Sequence, residues 1–150
     1  MPIDDSRRDF SARLMPLARA YRRHVDRALA STGQSHATAL AVMLLGRLGD
    51  GVRQGALAEE LGVEAPSVVP LIDAMEREGL VERRVDPGDR RARTLHLSDA
   101  GRRLAAEAEI VTARVRADLF TGVPADEVAT AARVLRRLAD AIAAAQEPTA

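Results

Sequence analysis

Between Gln54 and Gly101 the spacing of apolar residues changes its period, and that change constrains the fold more than any other feature. Leu57, Ala58 and Leu61 fall at helical spacing, with Glu59 and Glu60 left outside; Gly62 stops the run and Val63 anchors a tight turn. A second helical run from Ala65 to about Glu78 buries Val68, Leu71, Ile72 and Met75, and Gly79 stops it. Two short helices joined by a turn containing glycine form a helix-turn-helix. After Gly79 the pattern becomes extended. Leu80 to Val85 and Thr94 to Leu97 read as strands, separated by Asp86-Pro87-Gly88-Asp89-Arg90-Arg91-Ala92-Arg93. Pro-Gly within that insert is a turn signal, so the expectation is a hairpin with a long, arginine-rich tip.

Helical periodicity flanks this region on both sides. Phe10, Leu14, Leu17, Tyr21, Val25 and Leu29 make one apolar stripe over the first thirty residues, and arginines fill much of the rest. Thr38 to Leu48 is a short helix apolar all round, which belongs in a core. Ser98-Asp99 opens a fifth helix through Leu119, Thr121-Gly122-Val123-Pro124 breaks it, and Ala125 to Gln146 forms a sixth. Glu147-Pro148-Thr149-Ala150 is expected to fray. The fold class is therefore mainly α, an α+β winged helix. Within a single domain over 1–150, residues 38–102 form the winged lobe. Residues 1–34 and 103–147 supply helices whose apolar stripes need a partner, and a second copy of the chain is the simplest one.

The 150 residues suit one domain with its own core. The absence of cysteine excludes disulfides, thiolate zinc sites and cysteine nucleophiles, and 2% aromatic content argues against a stacking platform for single strands. No apolar run approaches a membrane span, so the expectation is a cytoplasmic protein without membrane partners. Net charge is zero, and all 22 basic residues are arginine. The charge is nevertheless segregated: +4 over residues 1–49, −5 over 50–76, +3 over 77–103 and −2 over 104–150. A neutral total leaves room for a nucleic-acid partner when the pattern is this uneven.

Gly62-Val63-Glu64-Ala65-Pro66-Ser67-Val68-Val69, followed by Met75-Glu76-Arg77-Glu78-Gly79-Leu80-Val81-Glu82-Arg83, resembles the recognition helix of MarR-family regulators. Asp86 to Gly101 is similar to that family's Asp-Arg-Arg wing. The Pro66-Ser67 and Asp89-Arg90-Arg91-Ala92-Arg93 forms, with the Gly122-Val123-Pro124 break, resemble its SlyA branch. The resemblance spans essentially the whole chain. It implies a homodimeric winged helix-turn-helix transcription factor on a palindromic operator in double-stranded DNA. Such a factor is usually a repressor released by a small aromatic carboxylate or phenolic effector.

On that reading Arg90, Arg91 and Arg93 reach phosphates or a narrow minor groove, where the alternative is an ordinary solvated charge run. Asp86 and Asp89 are the candidates to pin those guanidinium groups, since the family pattern implies an internal Asp–Arg pair that shapes the wing. Base readout by the fourth helix looks thin. Ser67 is its one good polar candidate, and Glu64, Asp73 and Glu76 would repel phosphates. Pro70 stands where the SlyA pattern commonly has arginine; it removes one backbone bond and tends to kink a helix, although its early position favours tolerance. Arg53, Gln54 and Arg77 are further candidates for DNA contact. For the effector, the family slot between the first two helices and the lobe base singles out Tyr21, Arg22, His36 and Met43. Ala39 there stands where related chains often carry a bulkier aromatic, a loss that suits a larger or differently shaped ligand. His24, His36 and an acid are the only seed of a metal site; no two histidines share i, i+4 spacing, and His96 reads as a surface strand residue. No metal, cofactor or catalytic constellation is expected, and the chain does not read as an enzyme. The competing reading is a winged-helix dimer without operator specificity of its own, acting as a protein-interaction adaptor or anti-silencer.

Overall fold

The structure is a computed structural model that describes residues 3–146, with side chains from Asp5 onward, so Glu147 to Ala150 lie outside the described residues. The order of elements is α1 (Ile3–Leu29), a 3₁₀ turn (Ala30–Thr32), α2 (His36–Leu48), β1 (Val52–Arg53), α3 (Gln54–Leu61), α4 (Ala65–Arg77), β2 (Val81–Asp86), β3 (Asp89–Leu97), α5 (Asp99–Leu119) and α6 (Ala125–Gln146). This is the expected helical chain with one small antiparallel sheet, in strand order β1-β3-β2.

Local chemistry sets the boundaries. Ser35 caps α2, its Oγ accepting the Thr38 N–H at 3.2 Å. Helices α3 and α4 end alike, each on a left-handed glycine: Gly62 and Gly79 have φ of 67° and 69°. The next residue then donates back across the helix end, Val63 to the Ala58 carbonyl at 3.0 Å and Leu80 to Met75 at 2.9 Å. The turn at Val63 is thus held by its backbone, and its side chain is exposed. Pro70 is tolerated: α4 runs through it to Arg77. Pro16 is likewise carried inside α1.

Two features differ from the sequence expectation. The first is β1, a two-residue strand that pairs with β3 through Val52↔Leu95 and Arg53↔Thr94. Two residues are too few to show a period, so only the free edge of β3 reveals it. The second is the hairpin. Its turn is Pro87-Gly88, and β3 already begins at Asp89, so the arginines belong to a strand rather than to a long loop tip. The pairs Asp86↔Asp89 and Val85↔Arg93 leave Arg90, Arg91 and Ala92 as unpaired excess on β3, a wide bulge. Its lack of apolar alternation made the segment look like loop.

The chain forms two compact units, one reaching to Val115 and one beginning at Arg116. In the first, the main core joins α2, α3, α4, the sheet and the start of α5 around Val42, Leu57, Val68, Ile72, Met75 and Leu95. A smaller cluster joins Val25 and Leu29 of α1 to Ala39, Met43, Ala108 and Val115. One close approach locks α5 to the lobe. A Cβ on Gly101 would stand 2.1 Å from the Leu80 carbonyl oxygen, so only glycine fits. Beside it Ser98 donates to the Gly79 carbonyl at 2.6 Å and accepts the Gly101 N–H at 3.0 Å. The stripe of α1 is buried only at Val25 and Leu29; Phe10, Leu14, Leu17 and Tyr21 are exposed. In the second unit α6 buries none of its residues and exposes Val134, Leu135, Leu138 and Ile142.

Candidate nucleic-acid interface

The bulge concentrates cations at the end of the sheet. Arg90 and Arg91 are exposed and have no ion pair among the described residues, whereas Arg93 turns back to the Arg90 and Ala92 carbonyls at 3.3 and 3.5 Å. Two carboxylates hold the turn through backbone donors. Asp86 accepts the Gly88 N–H at 2.8 Å and Asp89 accepts the Arg91 N–H at 3.0 Å. The expected pinning of the wing arginines by these aspartates is therefore corrected. The guanidinium that Asp86 binds belongs to Arg53, through Nε and Nη2, both at 2.8 Å. With strands ordered β1-β3-β2, this long side chain reaches over β3 and ties the wing to β1. The Gly88 N–H and then Arg53 hold the Asp86 carboxyl below the usual carboxylate range.

The second helix of the motif, α4, exposes Glu64, Ser67, Pro70, Asp73, Glu76 and Arg77. Ser67 sits in its first turn; Arg77 ends it and donates from Nε to the Asp73 carbonyl at 3.3 Å. Gln54, half-buried, begins α3 directly after Arg53. Asp73 and Glu76 are not free anions. Both engage Arg83 of β2, a residue that sequence reasoning left unassigned because it looks like any other arginine of the wing.

The residues expected around an effector separate. Met43 is core, with the Thr112 hydroxyl 3.5 Å from its sulfur, and Ala39 is completely buried beside it, so the anticipated space there is filled. Tyr21 and Arg22 are exposed on α1. His36 Nδ1 lies 2.6 Å from Asp26 Oδ1, and both atoms are shut off from solvent. The pair has ion-pair distance but not hydrogen-bond geometry. Burial is the larger influence on His36 and pushes it below the usual imidazole value; Asp26 opposes that and Arg22 adds to it. His24 is exposed and apart from this pair, and His96 is half-buried with Nε2 3.0 Å from the Thr94 hydroxyl rather than a plain surface residue. Among the described residues no three His, Asp or Glu side chains cluster to hold a metal. No helix among them is long and apolar enough to cross a membrane.

A helix-turn-helix, an arginine-bearing wing and long flanking helices in this order are shared with known proteins. The MarR family profile matches residues 32–92. The transcriptional regulator PA3341 is 36% identical over 89% of this chain and 97% of its own, with a TM-score of 0.81. The chain belongs to the MarR family of transcriptional regulators. A MarR-family regulator from Rhodococcus sp. RHA1 is 27% identical, covering 93% of this chain and 96% of its own at a TM-score of 0.76. CouR from Rhodococcus jostii RHA1, bound to p-coumaroyl-CoA, is 27% identical over 95% of this chain and 94% of its own, with a TM-score of 0.71. The repressor CouR is also known bound to a 23-mer DNA duplex. In this MarR regulator the guanidinium groups of Arg90 and Arg91 stand unpaired at the wing, and such planar donors suit oxyanions.

Proposed function

We propose that this MarR protein is a ligand-responsive repressor that binds a palindromic operator in double-stranded DNA as a homodimer. The observation that carries the reading is the wide bulge that leaves Arg90 and Arg91 unpaired at the tip of the wing. Residues 38–102 form the reading lobe, and residues 1–34 and 103–147 the pairing helices, whose exposed apolar residues on α1 and α6 call for a second copy. The two α4 helices then enter successive major grooves about 34–36 Å apart, with Ser67 near the bases and the wings over flanking phosphates. Arg53 and Gln54 at the start of α3, with Arg77 and Arg93, line the same contact. Specificity draws on DNA shape as much as on base edges, because α4 offers so few donors. The wing and the Gly122-Val123-Pro124 break favour the SlyA-like branch.

The effector is an aromatic carboxylate or phenolic anion, and its coenzyme A thioester is the extended form of the same class, as in CouR. Arg19, Arg22, Arg23 and Arg27 of α1 have no ion pair among the described residues and suit phosphate groups; Tyr21 and His36 lie on the same stretch of α1 and the start of α2. The effector works by favouring one spacing of the two lobes, and its leverage equals its differential affinity for the two states.

The test is a genome-wide selection of fragments retained by the purified protein, repeated with aromatic acids and their coenzyme A thioesters. One enriched palindrome, released by one ligand, is the expected result. Retention without a preferred fragment would instead favour the adaptor or anti-silencer reading, and retention that no ligand changes would remove the effector.

A further inference from the structure

The acidic side chains of α4 and the one arginine that contacts two of them carry a further step, which rests on the DNA-binding reading above. Asp73 and Glu76 stand three residues apart and share a face of α4. The Arg83 guanidinium on β2 spans both, Nη1 donating to Glu76 Oε2 at 2.7 Å and Nη2 to Asp73 Oδ1. Its backbone N–H adds a bond to Glu76 Oε1 at 3.3 Å. The Arg83 side chain is only 19% exposed, so this charge is committed inward while those at Arg90 and Arg91 are free. Without Arg83 the exposed acids from Glu64 to Glu78 would face a phosphate backbone with Arg77 as the sole cation on that helix. A groove-facing helix of that sign repels DNA.

We propose that Arg83 is a positioning residue for DNA binding: it holds and neutralises Asp73 and Glu76, so that α4 can enter the groove, and it does not itself touch DNA.

A double-mutant cycle on the full chain tests this, with binding to genomic DNA fragments read at 50 mM salt. Arg83→Ala lowers affinity by about tenfold or more. Asp73→Asn with Glu76→Gln binds at least as tightly as wild type, and adding Arg83→Ala to that background changes affinity less than about threefold. Equal losses in both backgrounds would make Arg83 a direct phosphate ligand and overturn the proposal. So would an Asp73→Asn/Glu76→Gln protein as weak as Arg83→Ala, because a mechanical tie alone behaves that way. Arg83→Met keeps the aliphatic stem and replaces alanine in the cycle if the alanine variant does not fold. A wild-type protein that retains no DNA under these conditions overturns the DNA-binding reading and this inference together, and the cycle fails separately only when wild type binds.

Discussion

Replacing Arg90 and Arg91 together by alanine removes the free cations of the wing and little else. Both side chains are exposed and outside the cross-strand pairing, so the thermal midpoint stays where it was. Binding changes in a particular way. Each chain loses two unpaired guanidinium groups, hence a dimer loses four. If each neutralises one phosphate, the slope of log affinity against log salt becomes shallower by about 0.9 for each, or about 3.6 in all. Raising salt from 50 to 200 mM then weakens the wild type about 150-fold more than the variant. The assay is fluorescence anisotropy of one labelled duplex titrated at four salt concentrations, on both proteins. A variant whose affinity falls while its slope is unchanged would refute the reasoning, because the arginines would then act on the fold of the hairpin rather than on phosphates. An unchanged affinity would remove the wing from the interface altogether.

Two other sites give independent checks. Gly101→Ala forces a methyl against the Leu80 carbonyl, and the chain must shift either α5 or the start of β2. The expected loss is about 1–3 kcal/mol, or roughly 2–4 °C of melting temperature for each kcal/mol, measured by calorimetry; an unchanged midpoint would show that the junction is loose. His36 gives a pH dependence. Its folded-state value lies below the ordinary 6.5, so the unfolded chain binds more protons as the pH drops through that range. Stability is therefore complete above about pH 6.5 and declines as pH falls toward the folded value, and His36→Gln flattens that decline in urea titrations at pH 7.5, 6.5 and 5.5. Stability that rises on acidification would mean that the Asp26 ion pair outweighs burial.

Legibility in the sequence followed the length of the repeating pattern. α6 was bounded at Ala125 and Gln146, and α3 at Gln54 and Leu61, because a stop signal and a full apolar period frame each one. β1 carries no period and Arg90 to Arg93 carries no alternation, so the sequence pattern shows neither β1 nor the first part of β3, whereas Thr94 to Leu97 reads as strand. Side-chain partners were the least legible. Nothing in the order of residues says that Asp86 will choose Arg53, 33 positions away, over an arginine on its own hairpin, since that choice depends on sheet order. The filling of the space beside Ala39 was hidden for the same reason, because Met43, Val25 and Ala108 arrive there from three different helices.

The segregated charge of the sequence finds its explanation in these pairings. The acidic stretch from Asp50 to Glu76 and the basic stretch from Arg77 to Arg103 are neighbours in the folded lobe, and they neutralise each other across it. Asp50 binds Arg102 at 3.0 Å, and Asp73 and Glu76 bind Arg83. Arg53, the one cation of the acidic stretch, goes to Asp86 of the basic one. Exposed pairs of this kind contribute little stability each, so their consequence is mainly one of distribution. They remove Asp73 and Glu76 of α4, and Arg83 of β2, from the field that a ligand meets. What remains without a carboxylate partner at the end of the hairpin is Arg90 and Arg91, together with Arg93, which is held only by backbone carbonyls. A chain of zero net charge thus presents a locally cationic edge, and phosphate attraction depends on that local field rather than on the total.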